Sequence, residues 1–228
     1  MHPIRIQYRI MDSLDLHTAT LLSGEFFARD TVTVARELLG KVLLSRTGDT
    51  VTGGRIVETE AYLGADDPGS HAATKGITAR NAVMYGPPGR AYVYFTYGNH
   101  HMLNLVTEAE GVAGAVLIRA IEPQAGIAVM TARREGRPLA RLCDGPGKLA
   151  SALGVTLADN GVAIGEGRID VLDAPKVGEP VGTSGRVGLS EGHDLPLRFY
   201  LEDNGYVSKG RTGPRPRKAA GPDGKVKA

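Results

Sequence analysis

The feature that most constrains this chain is the run Arg55-Ile-Val-Glu-Thr-Glu-Ala-Tyr62, which leads into the loop Leu63-Gly-Ala-Asp-Asp-Pro-Gly-Ser-His71. Ile56, Val57, Thr59 and Tyr62 favour extended backbone, so residues 55–62 read as a β-strand. Side chains alternate across a strand, which puts Ile56, Glu58, Glu60 and Tyr62 on one face and Val57, Thr59 and Ala61 on the other. Charged residues are almost never buried unpaired. On residue types alone, a solvated strand face is therefore the simpler account of the two glutamates. The same pattern also suits a site in which a carboxylate works beside a tyrosine, with His71 delivered by the loop. The choice rests on what the rest of the chain can bring to that face.

Ala91–Tyr97 (Ala-Tyr-Val-Tyr-Phe-Thr-Tyr) is the strongest strand signal, with Tyr92, Tyr94 and Thr96 on one face. Gly98-Asn99 reads as a hairpin turn, and His101–Val106 returns with Leu103 and Leu105 on one side and Asn104 on the other. Tyr97 then sits at the hairpin tip, where a ring either packs locally or serves as a wedge or binding residue. Ala113–Ile121 reads as a buried strand ending at Glu122-Pro123, with Arg119 as the anomaly in its middle. A buried guanidinium needs an anionic partner, and Glu58 and Glu60 are the candidates. Such a pair can be purely structural, or it can be a base with its orienting cation. Asp144-Gly-Pro-Gly-Lys148 opens a helix that ends at Gly154. Its N-terminus and Lys148 suit an anion, although ordinary capping explains the same residues.

Elsewhere, Asp30 or Thr31 caps a helix with Val32, Ala35, Leu38 and Leu39 on one face and Gly40 at its end. Lys41–Ser45 reads as a strand, and Gly53-Gly54 as the turn into residues 55–62. Thr78 opens a short helix through Met84, and Ile127–Arg134 forms another. Residues 155–207 read as short strands and turns, Arg198-Phe-Tyr-Leu201 being the clearest. No repeat or linker interrupts residues 23–207, so one domain is expected there, between an N-terminal arm (1–22) and a basic tail (208–228).

The 228 residues include 31 glycines, about twice ordinary usage, which favours turns and shaped loops. One cysteine, Cys143, excludes a disulfide framework or a cysteine-based zinc cluster. The net charge of +2 combines +6 in Lys209–Ala228 with −4 in the remainder. A tail rich in Gly, Pro, Lys and Arg is expected to be disordered. It either adds affinity for phosphate backbones or is simply solvated. Neither a stretch of ~18 apolar residues nor a signal sequence is found, so a soluble cytoplasmic product is expected. His-Glu-x-x-His, phosphate-loop, dinucleotide and serine-hydrolase signatures are missing from the sequence. His100-His101 are adjacent and point opposite ways on a strand. A metal-free site of carboxylate, arginine, tyrosines and histidine survives.

Taken in order, Arg55–Gly64, Ser70-His71, Tyr92-Val93-Tyr94, Tyr97-Gly98, Asn104, Leu117–Pro123, Leu142–Leu149 and Arg186-Val187-Gly188 closely resemble the methylpurine-DNA glycosylase family. The similarity runs from about Gly24 to Val207. It implies an α+β single domain around a curved, mainly antiparallel β-sheet, with surrounding helices and a protruding DNA-inserting β-hairpin. It further implies a monomer without cofactor or metal, acting on double-stranded DNA that contains damaged purines, and so nucleoid-associated in a bacterial cell. Glu60 matches the family's general base. Arg119 and the Val187 carbonyl match contacts to the attacking water. Tyr62, His71 and Tyr94 match the walls around an extruded base, and Asn104 the gatekeeper against undamaged guanine. Tyr97 matches the wedge that fills the duplex, while Lys148 is the expected contact to DNA. Asn99-His100-His101 departs from the family, whose members carry bulkier apolar or aromatic residues there.

These roles agree with the residues' own chemistry. Extruding a base costs roughly a few kcal/mol of unstacking, and a carboxylate can both activate water and stabilise an oxocarbenium-like sugar. A cationic alkylated purine stacks well on tyrosine. Because no lysine sits in the motif Arg55–His71, the expectation is a monofunctional glycosylase that leaves an abasic site. The rivals are a lesion-binding module without turnover and a hydrolase of free nucleosides, which would have no use for Tyr97 or the tail.

Overall fold

The computed structural model describes residues 20–73, 76–96, 98 and 100–210. Tyr97, Asn99 and residues 211–228 lie outside the described residues, as do positions 1–19 of the expected arm. Two short helices, α1 (Gly24–Phe27) and α2 (Thr31–Glu37), lead into β1 (Val42–Thr47) and β2 (Thr50–Tyr62). Next come β3 (Ala91–Thr96), β4 (His100–Val106) and β5 (Ala115–Ala125), then helices α3 (Ile127–Arg133) and α4 (Pro146–Leu153). Strands β6 (Ile169–Leu172), β7 (Val181–Ser184) and β8 (Arg198–Leu201) complete the described chain. All eight strands join one antiparallel sheet in the order β3-β4-β5-β2-β1-β6, with β8 pairing β2 and β7. The α+β expectation is met. None of the described helices is long and apolar enough to cross a membrane.

Strand β2 holds the sheet together. One edge pairs with β5 over Gly53–Tyr62, while the other pairs first with β1 and then, from Glu58 to Glu60, with β8. The change of partner coincides with irregular pairing against β5. Ile56 faces Ile121 but Glu58 faces Ala120, so Val57 is an extra residue on β2; Thr59 then faces Ile118, which makes Arg119 the extra residue on β5. Bulges of this kind bend a strand and re-aim its side chains. Ile56 consequently packs with Val57 in the main apolar core instead of sharing a face with the glutamates. Alternation resumes after the bulge, with Thr59 Oγ1 donating to the Ala35 carbonyl of α2 at 2.9 Å.

Helix α2 begins as its residues dictate. Asp30 accepts a 2.7 Å hydrogen bond from the Thr33 amide, and Val34, Ala35, Leu38 and Leu39 are buried while Val32 stays partly exposed. Pro146 occupies the first turn of α4, and Gly154 closes it at φ 68°. The residues 78–84 give only a 3₁₀ turn, Ala82–Tyr85, preceded by Asn81. Thr96 pairs with His100, so β3 and β4 form a hairpin at the sheet's edge, with Gly98 at φ 73° in its loop.

Two sequence expectations need correction. Gly53-Gly54 is not a turn: both residues lie inside β2, and the turn is Gly48-Asp49, between the paired Thr47 and Thr50. The glycines serve close approach, because a Cβ at Gly53 would strike the Leu43 carbonyl and one at Gly54 the Glu122 carbonyl. Strand β5 also runs past Glu122-Pro123 to Ala125. Proline lacks a donor for a second ladder, and β4 pairs only with Ala115–Leu117, so Pro123 interrupts nothing on that edge. Gly54→Ala should therefore lower stability by about 1–3 kcal/mol, the cost of overpacking against backbone that cannot yield. Urea unfolding would show it as a lower midpoint at unchanged m-value.

Candidate active site

Glu58 and Glu60 are both fully buried, which rules out the solvated strand face. Burial is tolerated because Arg119 lies between them, bulged toward β2 from β5. Its Nε donates to Glu58 Oε1 at 2.8 Å and its Nη1 to Glu60 Oε2 at 3.0 Å. Glu58 is saturated. Its Oε1 also accepts from Arg198 Nε at 2.7 Å and Ser208 Oγ at 2.8 Å, and its Oε2 from the Ser208 amide at 2.7 Å. Burial pushes the Glu58 carboxyl up, but Arg119 and Arg198 outweigh it and hold the group below the usual carboxylate range. Burial likewise disfavours the Arg119 charge, and Glu60 and Glu58 more than compensate.

Glu60 differs. Besides Arg119, it accepts from Tyr62 Oη at 2.9 Å and, on Oε1, from the Val187 amide at 2.7 Å. A carboxylate offers about four acceptor positions, so one is left on Oε1. Burial, and then the neighbouring Glu60 charge, push the Tyr62 phenol well above its ordinary value. It stays a donor. The three groups that hold Glu60, namely Tyr62, Arg119 and Val187, all line a cavity of about 230 Å³.

The other walls come from β3, β4 and the loop after β2. Tyr94 and His71 meet edge to face with ring centres 4.6 Å apart, and His71 Nδ1 lies 2.8 Å from Tyr92 Oη. Tyr92, on the same face as Tyr94, belongs to the cavity too. Asn104, opposite Tyr92, donates through Nδ2 to the Tyr92 carbonyl at 3.0 Å, which fixes its amide at the cavity wall. Burial, with the Arg80 charge as a lesser cause, lowers the His71 pKa to about 4. The imidazole is neutral at pH 7.

Arg186 enters the sequence reading only as part of the Arg186-Val187-Gly188 motif, without a role, yet it organises the loop that carries Val187. It is fully buried, and its guanidinium forks onto Asp67 with distances of 2.6 and 2.5 Å. It also donates to the Ala61 and Gly192 carbonyls, and its Cζ lies 4.8 Å from the Tyr62 ring centre. One cation thus joins the end of β2, the loop bearing His71 and the loop bearing Val187. Arg198 and Ser208 were missed as well. Their only sequence signal is a charge in an apolar strand and a serine at the start of a basic segment. Lys148 does not line the main cavity. It pairs with Asp144 at 2.8 Å and borders a neighbouring cleft with Arg141, Arg119 and Lys209.

Two outcomes follow from these buried charges. Arg186→Met strands the Asp67 carboxylate and should cost about 3–5 kcal/mol; Arg186→Met with Asp67→Leu should recover part of that loss in denaturant melts. His71 has a folded pKa below its unfolded value of ~6.5, so the unfolded chain binds the extra proton. Stability should therefore fall as pH drops from about 6.5 toward 4. The His71 ring in a nitrogen-15 NMR titration should still be neutral at about pH 5.5; a midpoint near the ordinary histidine value would contradict this environment.

Residues 25–205 match the family model described as methylpurine-DNA glycosylase. A protein from Chlorobium luteolum, named as a 3-methyladenine DNA glycosylase, is 50% identical over 195 residues, covering 84% of this chain and 98% of its own. Similarly named proteins from Koribacter versatilis and Methanoculleus marisnigri are 49% and 47% identical, each over 192 residues; both alignments cover 82% of this chain, and 92% and 98% of those proteins. The motifs quoted from the sequence, the carboxylate–arginine core and these relatives agree: the chain belongs to the methylpurine-DNA glycosylase family.

Proposed function

We propose that this protein is a monofunctional DNA glycosylase of base excision repair that extrudes alkylated or deaminated purines from duplex DNA and hydrolyses the N-glycosidic bond. The observation that carries the reading is Glu60: a buried carboxylate whose three donors all line one aromatic-walled cavity, with one acceptor position left over. In this reading a water donates to that position and its oxygen attacks C1′ of the sugar. The proton passes to Glu60, and the bond from C1′ to the base breaks with its electron pair on the base. A cationic alkylated purine leaves neutral and needs no acid. The carboxylate also stabilises positive charge on the sugar, as in sugar hydrolases. Arg119 orients Glu60 and, with the Val187 carbonyl, flanks the water.

Tyr62, His71 and Tyr94 sandwich the extruded base, and neutral His71 avoids repelling a cationic one. Asn104 acts as gatekeeper against guanine's 2-amino group. Tyr97, on the protruding hairpin, wedges into the gap in the duplex, which offsets part of the unstacking cost. Lys148 meets the phosphate backbone, and the basic tail adds salt-dependent affinity. No lysine lines the cavity among the described residues, which supports hydrolysis without an imine intermediate and hence without strand cleavage.

The test is base release from duplex oligonucleotides carrying 3-methyladenine-type, hypoxanthine or ethenoadenine lesions under single-turnover conditions. The wild type should release base and leave the strand intact until alkali is added. Glu60→Gln should lose about 10²–10⁴-fold in rate while still binding the lesion duplex. Lesion binding without release by the wild type would instead favour a non-catalytic binding module. Unchanged release by Glu60→Gln would remove it as the base.

A further inference from the structure

Ser208 lies beyond the family-matched span, which ends at residue 205, yet it is buried and touches three of the charged groups at the site. Its amide and Oγ both donate to Glu58, at 2.7 and 2.8 Å. Its Oγ accepts from Arg119 Nη2 at 3.2 Å, and its carbonyl receives Arg198 Nη2 at 3.4 Å. Two residues on, Gly210 packs against the Val187 side chain closely enough that a Cβ there would collide with it. A guanidinium held only through Nε and Nη1 can still swing about its own stem. The third contact, at Nη2, removes that freedom.

The geometry points to Ser208 as a positioning residue, acting with Glu58 as a clamp that fixes the Arg119 guanidinium so that its Nη1 faces Glu60. This inference rests on the glycosylase reading for its catalytic consequence, but the clamp itself is independent of it. Glu58 accepts four hydrogen bonds from Arg119, Arg198 and Ser208, three of them on Oε1, so it serves to hold these groups. Ser208 lies outside the main cavity and does not contact Glu60, but it borders the neighbouring cleft with Arg119 and Lys148. A loss of release with duplex affinity unchanged therefore travels through Arg119 and not through the cleft. The device also ties turnover to the first residues of the basic tail (208–228), where Lys209 borders the cleft beside Arg141 and Lys148.

The experiment compares wild type, Ser208→Ala and Ser208→Thr. Each is measured for single-turnover base release at saturating enzyme, affinity for lesion duplex, and the water exchange of the Arg119 Nε proton by NMR. Ser208→Ala should slow release about tenfold, the scale of one hydrogen bond to a charged group, with affinity unchanged, and should speed exchange of the Arg119 proton. Ser208→Thr, which keeps the hydroxyl, should restore both. If the added methyl unfolds the threonine variant, Ser208→Ala in an Arg119→Lys background replaces it. With Nη2 gone, the alanine should cost nothing further. Equal release by Ser208→Ala and wild type, or an undiminished alanine effect without Nη2, overturns the proposal. The exchange readout needs no turnover, so a wild type that releases no base would defeat the glycosylase reading without touching the clamp.

Discussion

A single guanidinium shared between two buried carboxylates is the interaction on which the rest depends. Glu58, Glu60, Arg119 and Arg198 form a charge-balanced group inside the sheet. Desolvating each ion costs several kcal/mol, and only near-complete hydrogen bonding offsets it. That requirement explains the local architecture. The paired bulges on β2 and β5 bring Arg119 to the glutamates, β8 contributes Arg198, and Ser208 adds two donors to Glu58. Apolar residues of similar volume would hold a core as well. Stability alone thus gives little reason for such a cluster, whereas the hydrolytic site proposed above, which must receive a proton away from bulk water, gives one.

The two glutamates are chemically alike and two residues apart, yet their surroundings separate their tasks. Glu58 meets four donors, all from the protein interior. Glu60 meets three, each from a residue that also faces the cavity. Around that cavity the aromatic walls carry cations on their flanks: Arg186 over Tyr62, neutralised by Asp67, and Arg80 with Cζ 5.3 Å from the Tyr94 ring centre. Guanidinium groups stack on electron-rich faces, so the Tyr62 and Tyr94 rings are each braced on one face by a cation.

Much of this was legible in the chain. The strand period set Glu58, Glu60 and Tyr62 on one side, the charge within an apolar run exposed Arg119 as a partner-seeker, and Tyr92–Thr96 announced an aromatic wall. What escaped has a common physical cause. The Asp67–Arg186 pair is separated by 119 residues and Glu58–Ser208 by 150, and no local periodicity encodes contacts at such range. The glycine pair at 53–54 was misread because a turn and a tight interstrand approach make the same demand, the loss of a Cβ. Bulges were equally invisible, since one extra residue leaves composition unchanged while moving Ile56 into the core.

Strand β2 changes partner at its bulge while β5 stays alongside, so the segment bearing Glu58 and Glu60 is flanked on both edges. Opening it means breaking two ladders at once, which belongs with the slowest, most global fluctuations of a fold. His71 and Val187 come instead from connecting loops, whose openings are cheaper. In the glycosylase reading proposed above, the carboxylate keeps its coordinates while the loop-borne part of the wall, tied down through Arg186, has the room to adjust to the base. That reading assigns tolerance for shape and constancy of chemistry to different parts of one chain.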